Sequence, residues 1–153
     1  METIHILQFG TGNFLRGFIE PLIEEVNQKG KSLQVYLVQS TQGSTLEALR
    51  SQNFQYSLHL TGIDQGEVME QSQKITCIKD GLSLPQEYDK FLSLALQPEL
   101  KWVISNVTEA GIAWQNEGSK NQNAVSFGGR LTQWLHWRYT NAPSLMTTIL
   151  PCE

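Results

Sequence analysis

Apolar and polar positions follow two rhythms along the chain: short apolar runs, and longer stripes with a period near four. Ile4 to Phe9 is the first run and reads as a strand. Directly after it, Phe14, Phe18, Leu22 and Val26 recur every fourth residue, with Leu15, Ile19 and Ile23 beside them. That spacing predicts one wide apolar stripe on a helix running to about Lys29. Pro21 sits inside the stripe with no N–H for the carbonyl of Gly17, which predicts a kink. Gly30 is placed to end the helix. Leu33 to Val38 reads as a second, buried strand. Ser44-Thr45-Leu46-Glu47 has the form of a capping box that opens a short helix.

The rhythm then changes. Tyr56 to Leu60 alternates with period two, Gly62 to Gly66 supplies turn residues, and Val68 to Ile78 alternates again. This predicts a β-hairpin inserted after the second crossover. Tyr88, Phe91, Leu92 and Ala95 mark a helix starting near Pro85, and Trp102 to Ser105 reads as a buried strand. A further helix carries Leu131, Trp134, Leu135 and Arg138, and Leu145 to Leu150 reads as a last strand. The expected class is α/β: a doubly wound, mostly parallel sheet with helices on both faces and an inserted hairpin. Ligands of such sheets sit beyond the carboxyl ends of the strands. The sequence stops at Glu153, directly after the last predicted strand, so the expectation is one domain of a larger protein.

The junction of the first strand and first helix holds the clearest candidate chemistry. Phe9-Gly10-Thr11-Gly12-Asn13-Phe14-Leu15-Arg16-Gly17 places Gly-x-Gly between them, the arrangement in which a βαβ unit holds a dinucleotide pyrophosphate. Glycines let the backbone approach the phosphates, and helix-start N–H groups point at the negative charge. The third glycine of the usual fingerprint is Leu15 here, and Gly17 follows two residues later. From spacing alone, a purely structural turn is an equal reading.

Two more strand ends converge on the same edge. Gln39-Ser40-Thr41 ends the second strand where a ribose-binding carboxylate usually stands. Gln39 and Ser40 can still bond to ribose hydroxyls. Arg50, the first basic residue beyond, lies well inside the following helix, so NAD is preferred and NADP stays open. Asn106, Thr108 and Glu109 follow the Trp102 strand; they are cofactor contacts, or a cap and turn opening a helix. Arg16 reads either as a phosphate partner or as a solvated surface charge.

Composition narrows the classes. The chain has 153 residues, 40% of them hydrophobic, which suits one domain. No apolar run approaches the roughly 20 residues of a membrane span. A net charge of −4 without a basic cluster argues against nucleic acid and anionic membranes as partners. Cys77 and Cys152 have no metal-like spacing with His5, His59 or His136, and no leader pattern opens the chain. Reduced thiols in a cytoplasmic protein without metal are expected. The histidines read as packing or surface residues.

The segment Ile6 to Phe18 resembles the opening of the long-chain mannitol dehydrogenase family, most closely its tagaturonate reductase (altronate oxidoreductase) branch. Three further blocks agree: Tyr88 to Leu92 with Leu94-Ala95, Val103 to Ile112, and Leu150 to Glu153. The resemblance implies a Rossmann-like NAD-binding domain spanning residues 1–153, with a helical substrate domain absent from this chain. It places the catalytic lysine and its Asn and His neighbours in that second domain, leaving no catalytic residue here. It carries over the turn Ile6 to Gly17 and, less fully, Asn106, Thr108 and Glu109. Val107 departs from the family's usual Thr, and Pro21 is a second departure. The implied chemistry is reversible reduction of a keto sugar acid or polyol-type substrate with NADH, the nicotinamide supplying hydride. Two other readings fit a glycine turn: a different Rossmann-like ligand such as S-adenosylmethionine, and a non-catalytic module sensing nucleotide redox state.

Overall fold

The structure, a computed structural model, describes residues 2–84, 86–106, 127–142 and 144. Four parallel strands form its sheet: β1 (Thr3–Phe9), β2 (Ser32–Gln39), β5 (Ile78–Ser83) and β6 (Leu100–Ser105), in the order β5-β2-β1-β6. In chain order the main-sheet strands thus lie third, second, first, fourth, the half-sheet of the doubly wound nucleotide-binding folds. The chain reverses direction across the sheet between β1 and β6. Side chains alternate across β1, so Leu7 and Phe9 enter one core while Ile6 enters the other. The first core is covered by α3 (Tyr88–Leu94) and α4 (Phe127–Asn141) through Phe91, Leu94 and Trp134. The second lies under α1 (Glu20–Gln28) and α2 (Thr45–Ser51) through Ile23 and Leu49. Burying a side chain such as Phe91 or Leu37 in this way contributes roughly 1.5–3 kcal/mol each.

The inserted hairpin is present as β3 (Tyr56–Asp64) and β4 (Glu67–Ile75), antiparallel, with Tyr56 opposite Ile75 and Asp64 opposite Glu67. Its turn is only Gln65-Gly66, both at positive φ, rather than the whole of Gly62 to Gly66. The run expected as one strand from Val68 to Ile78 breaks after Ile75. Thr76 and Cys77 leave the hairpin, and β5 joins β2 in the main sheet. Lys79, Asp80 and Gly81 hide β5 by interrupting the apolar pattern. The helix expected near Pro85 starts at Tyr88, with Glu87 before it. β6 forms where expected but lies at the margin of the described sheet, so Trp102 and Val103 are exposed. α4 carries the expected Leu131, Trp134, Leu135 and Arg138. The predicted strand Leu145 to Leu150 and Cys152 lie outside the described residues. No described helix is long and apolar enough to cross a membrane.

The first helix carries a π turn directly before the proline and corrects the expected apolar face. Residues 13–28 are continuous, but Leu15–Ile19 form a π turn in which the Glu20 N–H reaches back to the Leu15 carbonyl. Pro21 thus acts by changing the hydrogen-bond register of the turn before it. The apolar stripe is also narrower than its sequence. Leu15 and Ile23 are buried, whereas Phe14 and Phe18 are 53% and 55% exposed and Leu22 and Val26 are also exposed. The inward face instead carries Glu20, Pro21 and Glu24. Glu24 explains part of this, because its carboxylate accepts the Thr76 and Cys77 N–H groups and the Thr76 hydroxyl at the break between β4 and β5. The helix ends as expected, Gly30 and Lys31 donating to the Asn27 and Val26 carbonyls.

Candidate functional site

The carboxyl end of β1 turns at Gly10, whose φ of +106° is a conformation L side chains rarely adopt. The Gly10 N–H donates to the Val38 carbonyl at 2.9 Å, which ties the turn to β2. Thr11 and Gly12 follow, and the helix opens with the Arg16 N–H on the Gly12 carbonyl at 3.2 Å. The N–H groups just before Arg16 therefore precede the intrahelical ladder. Gly12 and Asn13 are exposed, and no atom lies within 4 Å of where a Gly12 Cβ would stand. The turn offers backbone donors beside open space, which suits an anionic group such as a phosphate.

Other predicted residues shape this turn from below. Phe9 is buried, its ring edge-on to Phe91 at 5.8 Å, and Leu15 packs beneath Gly10, so their side chains are core. Phe14 is exposed and lies 5.4 Å from Phe18, ring to ring. The Arg16 guanidinium folds back on the turn, donating to the Thr11 carbonyl at 3.0 Å and Asn13 Oδ1 at 2.6 Å. Arg16 is thus a brace of the turn.

The end of β2 differs from the reading of it as a ribose contact. Gln39 is buried, donating through Nε2 to the Gly43 carbonyl at 3.0 Å and accepting the Leu46 N–H at 3.1 Å. Both ends of its amide are consumed in building the loop into α2. This also replaces the expected capping box, since Ser44 makes no side-chain cap bond. Ser40 is half-buried and Thr41 exposed at the same strand end. Arg50 is engaged as well, with Glu47 at 3.0 Å, Glu87 at 2.5 Å and the Gly81 carbonyl at 2.8 Å. Asn106 is exposed just after β6, on the other side of β1 from β2. Thr108 and Glu109 lie outside the described residues.

Sequence reading missed a buried polar chain under the turn. Gln8 of β1 donates to the Gly10 carbonyl at 3.1 Å and to Glu20 Oε1 at 2.9 Å. Glu20 Oε2 lies 2.7 Å from the Tyr56 hydroxyl, which itself reaches the Arg16 carbonyl at 2.5 Å. Burial pushes the Glu20 carboxyl above its ordinary value against the pull of Tyr56, Gln8 and Arg16. A helical Glu in an apolar stripe gives no sequence signal that separates it from a solvated one. The histidines are structural or exposed: His5 Nδ1 bonds with Gln97 Oε1 at 3.0 Å, and His59 and His136 face solvent. Among the described residues no cluster of His, Cys, Asp and Glu could hold a metal ion.

The mannitol dehydrogenase Rossmann domain family model matches residues 4–153. The chain belongs to that family. Relatives include altronate oxidoreductases from Phocaeicola vulgatus, 39% identical, and Bacillus subtilis, 35% identical. In both cases the match covers 97% of this chain and 32% of the relative, so the chain spans about a third of their length. Two solved structures share the fold of this mannitol dehydrogenase domain. D-sorbitol dehydrogenase in substrate-free form aligns with a TM-score of 0.76 at 21% identity, over 90% of this chain and 32% of that one. Pseudomonas fluorescens mannitol 2-dehydrogenase, solved with NAD and D-mannitol, aligns with a TM-score of 0.74 at 17% identity, over 90% and 31%. The expected fold class and family are therefore borne out.

Proposed function

We propose that residues 1–153 form the NAD-binding domain of a longer cytoplasmic oxidoreductase of the altronate oxidoreductase type, which interconverts a keto sugar acid and its alcohol (tagaturonate and altronate). The observation that carries this reading is the glycine turn at the end of β1, beside the β1–β6 reversal of the sheet. Gly12 leaves room for a phosphate, helix-start N–H groups donate to it, and Arg16 keeps the turn in shape through Thr11 and Asn13. When bound, the nicotinamide supplies and accepts hydride; the part of this chain is to hold and orient the dinucleotide. Ser40 and Thr41 are the side chains left at the β2 end for the adenosine ribose, since Gln39 is spent on its own loop. Asn106, Thr108 and Glu109, after β6, are assigned to the nicotinamide half.

The preference for NAD over NADP rests on Arg50. It is the first basic residue after β2, and Glu87, Glu47 and the Gly81 carbonyl already take its guanidinium. A 2′-phosphate would have to displace those partners. The substrate assignment follows from the altronate oxidoreductase relatives, and the proton-handling lysine belongs to the remaining two-thirds of such proteins. Titration with NADH and with NADPH, followed by tryptophan quenching, tests the reading. Saturable NADH binding, weaker NADPH binding, and a fall of about tenfold or more in both affinities for Gly12→Leu are expected. A folded chain that binds neither, or that binds equally well after Gly12→Leu, would contradict it.

A further inference from the structure

We propose that Glu20 is a positioning residue for the glycine turn and acts as a neutral carboxylic acid that donates its proton to Tyr56. The number of protons available to three oxygens decides it. Three oxygens lie in sequence: the Arg16 carbonyl, the Tyr56 hydroxyl 2.5 Å from it, and Glu20 Oε2 2.7 Å further. Each of these short oxygen–oxygen contacts requires a proton between its partners. The carbonyl has none and the phenol has one, so the second comes from Glu20. Gln8 donates to Oε1, which identifies Oε2 as the protonated oxygen. Tyr56 then donates to the Arg16 carbonyl and accepts from Glu20, so both short oxygen–oxygen contacts carry a proton.

The surroundings agree. Glu20 is fully buried, and no ion pair to it occurs among the described residues. An ionised carboxylate there would lose its hydration without a paired cation. The titratable and charged groups facing it are Tyr56 of β3, Arg16 of the π turn and Cys77 after β4, while Glu24 of α1 is turned to Thr76 and Cys77. Arg16 favours the charged form, but its guanidinium is turned to Thr11 and Asn13. Burial raises the Tyr56 and Cys77 groups, and the negative charge of Glu20 would raise them further, so both stay neutral.

The consequence reaches the turn from both sides. Gln8 links Glu20 to the Gly10 carbonyl, and Tyr56 links it to the carbonyl of the residue that braces Thr11 and Asn13. Pro21 supplies no N–H in this stretch, so the hairpin's Tyr56 serves a carbonyl the helix leaves open. The sign of the pH dependence follows. A carboxyl held above its ordinary value contributes stability that is complete below the ordinary carboxylate range and lost as pH rises through its folded value. The turn therefore loosens on the alkaline side.

This role rests on the dinucleotide reading, and its test separates the two. Infrared spectra of the chain labelled at glutamate should contain a protonated-carboxyl band at neutral pH that fades as pH rises and is missing from Glu20→Gln. The Gln amide can accept from Gln8 and donate to Tyr56, so this variant should keep NADH affinity within about twofold while flattening its pH profile. Glu20→Leu should weaken NADH binding by about tenfold or more. Absence of the band in the wild-type chain, or a folded Glu20→Gln that loses NADH binding, overturns the proposal. A clear band in a wild-type chain that binds no NADH leaves the neutral Glu20 under the turn standing and overturns the dinucleotide reading alone.

Discussion

The ends of β1 and β2 are neighbours in one sheet and look alike in sequence, each an apolar strand followed by small polar residues. They do opposite things. At β1 the turn presents backbone: Gly10 at positive φ, an uncrowded Gly12, and helix-start N–H groups. At β2 the polar side chain turns inward, and Gln39 spends its whole amide on Gly43 and Leu46. A polar residue at a strand end is available to a ligand only if the loop has not already claimed it. The β1 end leaves backbone donors beside open space, and the β2 end holds α2 in place.

Substitutions at the two ends should then fail in different currencies. The largest effect belongs to the β2 side. A Cβ at Gly81 would stand 2.4 Å from Leu46 Cδ1 and 3.1 Å from the Phe54 ring, so α2 packs directly on this backbone. Gly81→Val should lower stability by about 3 kcal/mol through overpacking, measured by chemical denaturation. Gln39→Leu removes the partner of the buried Leu46 N–H and should cost about 1–3 kcal/mol, with NADH affinity retained in the folded fraction. A loss of affinity at unchanged stability would return Gln39 to the ribose.

Gly12→Leu should behave the other way. It meets open space, so its denaturation midpoint should stay close to wild type while NADH affinity falls by about tenfold or more, near 1.4 kcal/mol. The smallest effect is expected at Glu87→Gln, which weakens a partly exposed pair and should cost at most about 1 kcal/mol. Burial alone would raise the Glu87 carboxyl, but the Ser83 N–H and Arg50 hold it below its ordinary value. Its contribution is present above the ordinary carboxylate range and is lost on acidification, so wild type and variant should converge in acid. If Arg50 is what excludes NADPH by being occupied, the same variant should narrow the gap between NADH and NADPH affinity.

The contrast also marks how far the sequence could be read. β1, β2, the hairpin, the glycine turn and α4 were legible because each depends on local pattern: an apolar run, period-two alternation, or a backbone shape that glycine permits. β5 was not, because Lys79, Asp80 and Gly81 interrupt it and only pairing with β2 defines it. The Phe14-Phe18-Leu22-Val26 row misled because periodicity finds a stripe without saying which of two adjacent rows faces inward. Here the hairpin and Thr76 draw Glu20 and Glu24 inward instead. At the end of β2 the Gln39 amide takes the capping role that the local Ser44 motif advertised, a contact the spacing of the motif does not contain. Glu20, Gln8 and Tyr56 form their chain through tertiary contacts alone.

The most direct test of the central claim is an amide chemical-shift titration of the 15N-labelled chain with NADH. The largest shifts are expected at the backbone N–H groups of Gly12, Asn13, Phe14 and Leu15, with the Gln39 side-chain amide unmoved. Shifts centred on Gln39 and the loop to α2, with the glycine turn silent, would contradict it.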